Sequence, residues 1–108
     1  MVGKIFLTKI FFTDLSDYKI LPALIIKEYK DEDFLYLPLT TNLKLKGTII
    51  SPPDLKSGEL KKTSVVIVPK ISIIHKSFLI KEIGKVKEAI FKHILKEICF
   101  SFDCFQFL

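Results

Sequence analysis

The chain contains no arginine, because all seventeen of its basic residues are lysines, and its formal net charge is +5. This absence excludes the planar, two-pronged guanidinium as a ligand for phosphate. Any phosphate site must therefore use lysine ammonium groups as point charges. A basic surface attracts polyanions, nucleic acids above all. The alternative is that the abundance of lysine and isoleucine reflects genomic base composition.

Cysteine is almost as scarce, with only Cys99 and Cys104 in the chain. Two cysteines at this spacing exclude a zinc site and a disulfide framework, and we expect buried or inert thiols. His75 and His93 do not complete a metal-binding set with them. The sequence therefore predicts no metal and no cofactor.

Long apolar runs are also missing, since no stretch approaches the ~18 residues that span a bilayer. The first twelve residues, MVGKIFLTKIFF, resemble a signal peptide in outline. However, Thr8 and Lys9 interrupt the apolar stretch, and no small-residue cleavage site follows. We interpret this segment as a strand and expect a cytoplasmic protein that makes no membrane contact.

What the chain has is a high apolar content, 49% of its 108 residues. That content argues against disorder, and a chain of this length can bury roughly 60–70% of its unfolded surface. We predict a single domain over 1–108. The aromatic tail over 101–108 either packs on the sheet or forms a flexible contact surface.

Most of the chain reads as short strands separated by polar turns. Pro22 and Pro38 are expected at strand entries, edges or bulges. The segment 70–76 fits either a strand or a turn followed by a strand. Polar loops are predicted at Thr13–Tyr18, Glu28–Asp33 and Asn42–Lys46, and strands at Lys4–Phe12, Leu21–Lys27, Phe34–Thr40, Gly47–Ile50 and Ser64–Val68.

Two further segments complete the prediction. Ser51–Lys62 has the densest Pro, Gly and Ser content and reads as a mobile loop. Lys85–Phe100 reads as an amphipathic helix. Short strands followed by a terminal helix predict a mainly β fold, a small and strongly curved barrel. The predicted apolar stripe of the helix is Val86, Ala89, Ile90, Phe91, Ile94, Leu95 and Ile98.

Several segments, in this order, resemble the MazF/PemK toxins of type II toxin–antitoxin systems. FFTDLSDYK at 11–19 resembles the family's FPFTDLS-x-x-K loop, and LPALII at 21–26 its RPALVI strand. LTTN at 39–42, GELKKTSVVIVPKI at 58–71 and FLIKEIGKV at 78–86 are similar to later family segments. The resemblance implies an SH3-like barrel of the MazF/PemK/CcdB type that forms a homodimer. It also implies cleavage of single-stranded RNA, mRNA in the cell, and a cognate antitoxin that covers the RNA groove.

The resemblance also suggests a catalytic centre at Thr40 and Lys19. Thr40 matches the family's strand-end threonine, which would donate to a phosphoryl oxygen. Leu21 replaces the family's arginine before Pro22 and cannot stabilise charge. Lys19 lies two residues earlier, and it projects from the same face if the strand begins that early, so it is the candidate replacement. The alternatives are a β-branched residue that merely closes a strand and a solvated loop lysine.

A second group of residues would border the predicted groove and contact RNA. Asp14 and Asp17 fit turn capping as well. Ser64 either borders the groove or caps a strand, and the loop lysines, Lys61 and Lys62 among them, are either phosphate ligands or solvated. His75 is a further acid–base candidate. The predicted RNA-binding set is Asp14, Thr41, Asn42, Lys44, Lys46, Lys56 and Ser64.

The lost arginine leaves two functions open. The first is an active, sequence-specific toxin endoribonuclease that needs no metal and is neutralised by an antitoxin. The second is a catalytically weak or inactive member of the same fold that binds RNA or an antitoxin. A barrel that poisons a protein target such as gyrase is a third, with no motif in its favour.

Overall fold

An eight-stranded sheet, one α-helix and three short 3₁₀ turns account for the regular structure of the described residues, 1–11 and 17–104, in the computed structural model. The sheet curves into a half-barrel, so the predicted mainly β fold with a C-terminal helix is confirmed. The strands are β1 (Lys4–Phe11), β2 (Tyr18–Glu28), β3 (Asp33–Thr40), β4 (Thr48–Ile50), β5 (Leu55–Gly58), β6 (Ser64–Val66), β7 (Ser72–His75) and β8 (Leu79–Val86), and the helix is α1 (Glu88–Ser101).

The strands lie in the order β4-β6-β3-β2-β1-β8-β5. Strand β3 divides its pairing between two neighbours. Its first half, Asp33 to Tyr36, pairs with β7, and its end, Leu39 and Thr40, pairs with β6. Because β7 and β6 separate at this point, the end of β3 borders a recess beside the β6–β7 connection.

Both faces of the central strands are apolar. The main core lies between the concave face and α1, and includes Leu24, Leu37 and Ile94, which are almost fully buried. A second, smaller cluster lies on the opposite face. Alternate residues of β2 and β3 therefore serve two apolar environments, which explains the nearly continuous apolar sequence of these strands. The second cluster consists of Ala23, Ile25, Phe34, Tyr36 and Ile74, with Phe6, Ile10, Phe78 and Leu79 packed against it.

The prediction of a mobile loop at Ser51–Lys62 is wrong for the central part of that segment. A 3₁₀ turn at Pro52–Asp54 is closed by the Asp54 carboxylate, which accepts from the Ser51 N–H at 2.7 Å, and β5 follows and pairs with β8. The backbone geometry at Gly58 explains why this segment contains a glycine. Its φ is +79°, and a Cβ would stand 2.3 Å from the Cα of Gly84. The glycine therefore permits a close strand crossing rather than a loose loop.

Strand β2 begins at Tyr18, three residues earlier than predicted, so Pro22 lies inside the strand rather than at its entry. It pairs with Leu7 of β1, while the β2–β3 ladder starts one residue later, at Ala23 and Pro38. In the segment 70–76, the turn-and-strand alternative is confirmed by a 3₁₀ turn at Val68–Lys70 followed by β7.

The helix begins three residues later than predicted, because the preceding residues are extended. The Val86 N–H bonds the Gly3 carbonyl at 3.0 Å, and the Lys87 N–H bonds the Asp54 carbonyl at 2.9 Å. The predicted stripe was too wide, since Ala89 and Leu95 are exposed. Cys99 and Cys104 are free and half-buried, so the first of the two expected alternatives, buried thiols, holds only in part. No helix in the described part of the chain is long and apolar enough to cross a membrane.

Candidate functional site

The recess at the end of β3 contains a cavity of about 330 Å³, named here the Thr40 cavity. Its walls come from β1, β2, β3 and the β6–β7 connection. Among the described residues that line it, Lys19 and Lys70 are charged and no carboxylate opposes them. The lining residues are Ile10, Lys19, Leu21, Tyr36, Pro38, Leu39, Thr40, Leu45, Ile67, Lys70 and Ser72.

Thr40 is half-buried at the last position of β3. Its hydroxyl oxygen accepts a hydrogen bond from the Asn42 N–H at 3.1 Å, and the Asn42 side-chain oxygen accepts from the Lys44 N–H at 3.2 Å. A threonine hydroxyl has one hydrogen to donate besides its lone pairs. The turn therefore fixes the Thr40 oxygen and leaves its hydrogen for a group in the cavity.

Lys19 and Leu21 both line the Thr40 cavity, as expected for residues two apart on one strand face. Lys19 is exposed and Leu21 is half-buried. The backbone at Leu21 is held by β1, since the buried Thr8 hydroxyl donates to the Leu21 carbonyl at 2.8 Å. The structure thus brings together the two residues predicted as catalytic, Thr40 and Lys19, with the leucine that replaces the family's arginine.

Sequence reasoning missed three polar side chains in this cavity, those of Lys70, Ser72 and Tyr36. The Ser72 hydroxyl donates to the Lys70 carbonyl at 3.4 Å. Burial raises the pKa of Tyr36 above its ordinary value of 10.0, and the neighbouring Ser72 side chain opposes that shift. The only available signal was the Pro69–Lys70 pair, which marks a turn between two strands.

Two more cavities extend the site beyond Pro22. The Ser64 cavity, about 200 Å³, shares Leu21, Leu39 and Thr40 with the first and adds Thr41. The Lys62 cavity, about 350 Å³, shares Pro22, Thr41 and Ser64 with the second and adds Lys61 and Lys62. Together the three cavities form a continuous depression, named here the groove.

Ser64 combines both predicted possibilities. Its side chain borders the groove, and its hydroxyl donates to the Lys62 carbonyl at 3.0 Å while the residue is buried. Thr41 and Asn42 are exposed beside Thr40. Lys44 and Lys46 are also exposed, but the residue between them, Leu45, lines the Thr40 cavity.

Other predicted residues lie elsewhere. Lys56 lies on β5 and lines a separate cavity with Lys85 and Glu88. His75 faces Asp33 in the β3–β7 ladder. Asp33 and Thr40 lie seven residues apart on β3, so His75 and Thr40 are separated by roughly 23 Å along the strand.

The remaining acidic candidates are Asp14 and Asp17. Asp14 lies outside the described residues, so its predicted role remains a prediction. The Asp17 carboxylate accepts from the Tyr18 N–H at 2.7 Å, which is local capping. Among the described residues, no three His, Cys, Asp or Glu side chains lie together so that they could hold a metal ion.

Fold and groove define a small half-barrel protein with a hydroxyl and two lysines in a recess at a strand end. The family described as PemK-like, MazF-like toxins of type II toxin–antitoxin systems matches residues 3–102. The chain therefore belongs to this family, and the resemblance seen in its sequence segments is confirmed.

Solved structures agree on the fold. The toxin MazF-mt6 of Mycobacterium tuberculosis is 21% identical in sequence and superimposes with a TM-score of 0.72, over 93% of this chain and 96% of that one. No curated protein matched the chain.

Proposed function

We propose that this chain is a toxin endoribonuclease that cleaves single-stranded RNA, mRNA in the cytoplasm, without a metal ion. One observation carries the proposal: the Thr40 cavity joins a fixed hydroxyl to two lysine side chains at the predicted centre. Membership in the MazF/PemK family supports the same reaction class.

The reaction needs a nucleophile that the RNA itself provides. The ribose 2′-oxygen attacks the adjacent phosphorus, its bond to phosphorus forms, and the bond from phosphorus to the 5′-oxygen breaks. The 2′-hydroxyl loses its proton and the leaving 5′-oxygen gains one, which gives a 2′,3′-cyclic phosphate and a 5′-hydroxyl end. The protein must stabilise the extra negative charge on the phosphoryl oxygens.

Thr40, Lys19 and Lys70 have the chemistry that this step requires. The Thr40 hydroxyl donates to one phosphoryl oxygen, and the lysine ammonium groups offset the developing charge. Tyr36 acts as a neutral hydroxyl and not as a base, since burial raises its pKa above 10.0 and keeps it protonated near neutral pH.

Cleavage of a single-stranded RNA and of the DNA of the same sequence, both in the presence of a chelator, tests this proposal. The RNA should be cut to fragments with 5′-hydroxyl ends, and the DNA should stay intact because it lacks the 2′-hydroxyl. Thr40→Val keeps the side-chain shape and should slow cleavage by about 100- to 1,000-fold. Equal cutting of RNA and DNA would contradict the mechanism.

A catalytically weak or inactive binding module is the second candidate, and Leu21 is the observation that favours it. This half-buried leucine occupies the cavity wall where the family resemblance implies an arginine. If the module is inactive, the wild-type protein binds RNA but leaves it uncut, and substitution of Thr40 changes affinity alone.

The antitoxin partner should present an acidic segment to the groove. Four lysines and one carboxylate, that of Glu59, line its cavities, and this excess of positive charge suits a negatively charged peptide that folds on binding. The lysines are Lys19, Lys61, Lys62 and Lys70. Affinity should therefore decrease as salt increases. Binding that is insensitive to salt would contradict this picture.

The homodimer is supported by apolar side chains left exposed on the described surface. Ile20, Leu43 and Ile49 are each more than half exposed. Exposed apolar patches commonly mark interfaces between proteins. Sedimentation should show a dimer at micromolar concentration, and a monomer under those conditions would exclude it.

A further inference from the structure

A separate cavity of about 230 Å³ adjoins the Thr40 cavity on the side of the second apolar cluster, and is named here the Phe78 pocket. Ile10 and Tyr36 line both cavities, so one wall divides them. Neither the strand-end threonine nor the lysines of the proposed centre lie in this pocket.

Aromatic rings form much of its wall. Phe78 is half-buried in the 3₁₀ turn Lys76–Phe78, and its ring meets the Phe11 ring edge-to-face, with centroids 5.3 Å apart. Phe11 also contacts the Tyr18 ring at 5.8 Å. Phe78 packs against the second apolar cluster, and Phe11 contacts the rings of Phe78 and Tyr18. The Phe11 and Phe78 rings offer a surface on which a flat aromatic group can stack.

His75 places a polar group at the same pocket. Its Nδ1 accepts from the Ser77 N–H at 3.1 Å, so in the neutral ring the proton is on Nε2. The nearest carboxylate oxygen, from Glu32, lies 3.9 Å from Nε2, beyond hydrogen-bond distance. The Nε2–H group is therefore available as a donor to a ligand.

A positive charge completes the pocket. Lys9 lines it, and its ammonium lies 4.7 Å from the centre of the Tyr18 ring. An aromatic wall, a ring N–H donor and a nearby cation are the three elements that hold an unpaired nucleotide, through base stacking, base-edge recognition and phosphate attraction.

We propose that the Phe78 pocket binds one unpaired base of the RNA whose cleavable phosphodiester lies in the Thr40 cavity. This inference depends on the proposed function and adds a specificity site to it. His75 lies roughly 23 Å along the sheet from Thr40. The base therefore belongs to a nucleotide displaced along the strand from the cleaved bond, and the pocket restricts which sequences are cut.

Affinity for an uncleavable RNA tests the proposal apart from catalysis. The probe is a fluorescent single-stranded oligonucleotide of the cleaved sequence, with a 2′-O-methyl group on every ribose and one abasic nucleotide moved through the sequence. In the wild type, one abasic position away from the cleaved bond should weaken binding about 10-fold or more, because a stacked base is lost. In Phe78→Ala this positional loss should shrink to less than about 3-fold.

Three further variants keep the test decisive. Phe78→Tyr retains a ring and should retain the positional loss, whereas Phe102→Ala removes an exposed ring elsewhere and should not alter it. His75 is exposed, and His75→Ala should bring the affinities for the four bases at that position together, which in the wild type differ by about 2- to 10-fold.

The failures are distinguishable. If the wild type cuts RNA but every abasic position costs the same affinity, or if Phe78→Ala keeps the positional loss, the base pocket is wrong and the proposed function stands. If the wild type neither binds nor cuts RNA, both are wrong.

Discussion

The hydroxyl of Thr8 donates a hydrogen bond of 2.8 Å to the carbonyl of Leu21, and Thr8 is fully buried. This bond links the centre of β1 to the part of β2 that forms the wall of the Thr40 cavity. The position of the proposed catalytic centre therefore depends on a contact outside the groove.

Thr8→Val should lower the free energy of unfolding by about 1–3 kcal/mol, because the substitution keeps the shape but removes a buried hydrogen bond. The melting temperature should decrease by roughly 4–8 °C for each kcal/mol. Thr48→Val is the matched control. Among the described residues, the Thr48 hydroxyl is buried without a hydrogen-bond partner, so its removal should leave stability unchanged or raise it. Equal losses in both variants would show that the Thr8 bond contributes nothing specific.

Lys19→Ala should reduce RNA cleavage by about 100- to 1,000-fold while the fold is preserved, since it removes a charge that stabilises the transition state. Lys70→Ala should also reduce the rate, because Lys70 lines the same cavity. Lys96→Ala removes an equal charge from an exposed position of α1 and should have little effect. Single-turnover rates measure all three. A rate unchanged by Lys19→Ala would leave Lys70 as the cation of the site, with Lys44 and Lys46 next to test.

Leu21→Arg should raise cleavage, up to about 100-fold, because it introduces a two-pronged phosphate ligand into the cavity wall. Leu21→Gln introduces a polar side chain without charge and should give no gain. Should the wild type prove inactive, Leu21→Arg would be expected to create activity. If the wild type is active and the arginine brings no gain, the lysines already stabilise the full negative charge of the transition state.

Because of Tyr36, we expect the free energy of unfolding to decrease at alkaline pH. Burial raises its folded-state pKa above 10.0, so the unfolded chain releases this proton first as the pH rises. The corresponding stability is present below about pH 10 and is lost as the pH rises through the folded-state pKa. Urea unfolding at about pH 8 and about pH 11 should therefore show a smaller decrease for Tyr36→Phe than for the wild type. Tyr29→Phe removes an exposed phenol and should behave like the wild type.

The sequence patterns predicted the strands that alternate or are densely apolar, and the fold class followed from them. They failed at β5 and β8. In LKSG and LIKEIGKV, lysine, glutamate and glycine interrupt the apolar pattern. Strand β5 lies at the edge of the sheet with three of its four residues exposed, and β8, beside it, has three exposed residues of eight. The Gly58–Gly84 crossing is a long-range contact, and a reading of local composition mistakes it for a loop.

The candidate site was predictable only where one strand or a family segment fixed it. Lys19 and Leu21 share a strand face, and Thr40 ends the next strand. Lys70 was not predictable, because a turn after β6 brings it to the cavity across a gap in strand pairing. Lys56 shows the opposite error, since β5 carries it to another cavity.

The pairing of β1 with both β2 and β8 determines the order in which the protein can fold. Strand β2 follows β1 closely in the sequence, whereas β8 lies near the C-terminal end of the described residues and is synthesised much later. Contacts of such large sequence separation form slowly, and until then one edge of β1 remains unpaired. We therefore expect the half-barrel to close only when most of the chain has left the ribosome, so that an incomplete chain does not yet have the folded groove of the toxin.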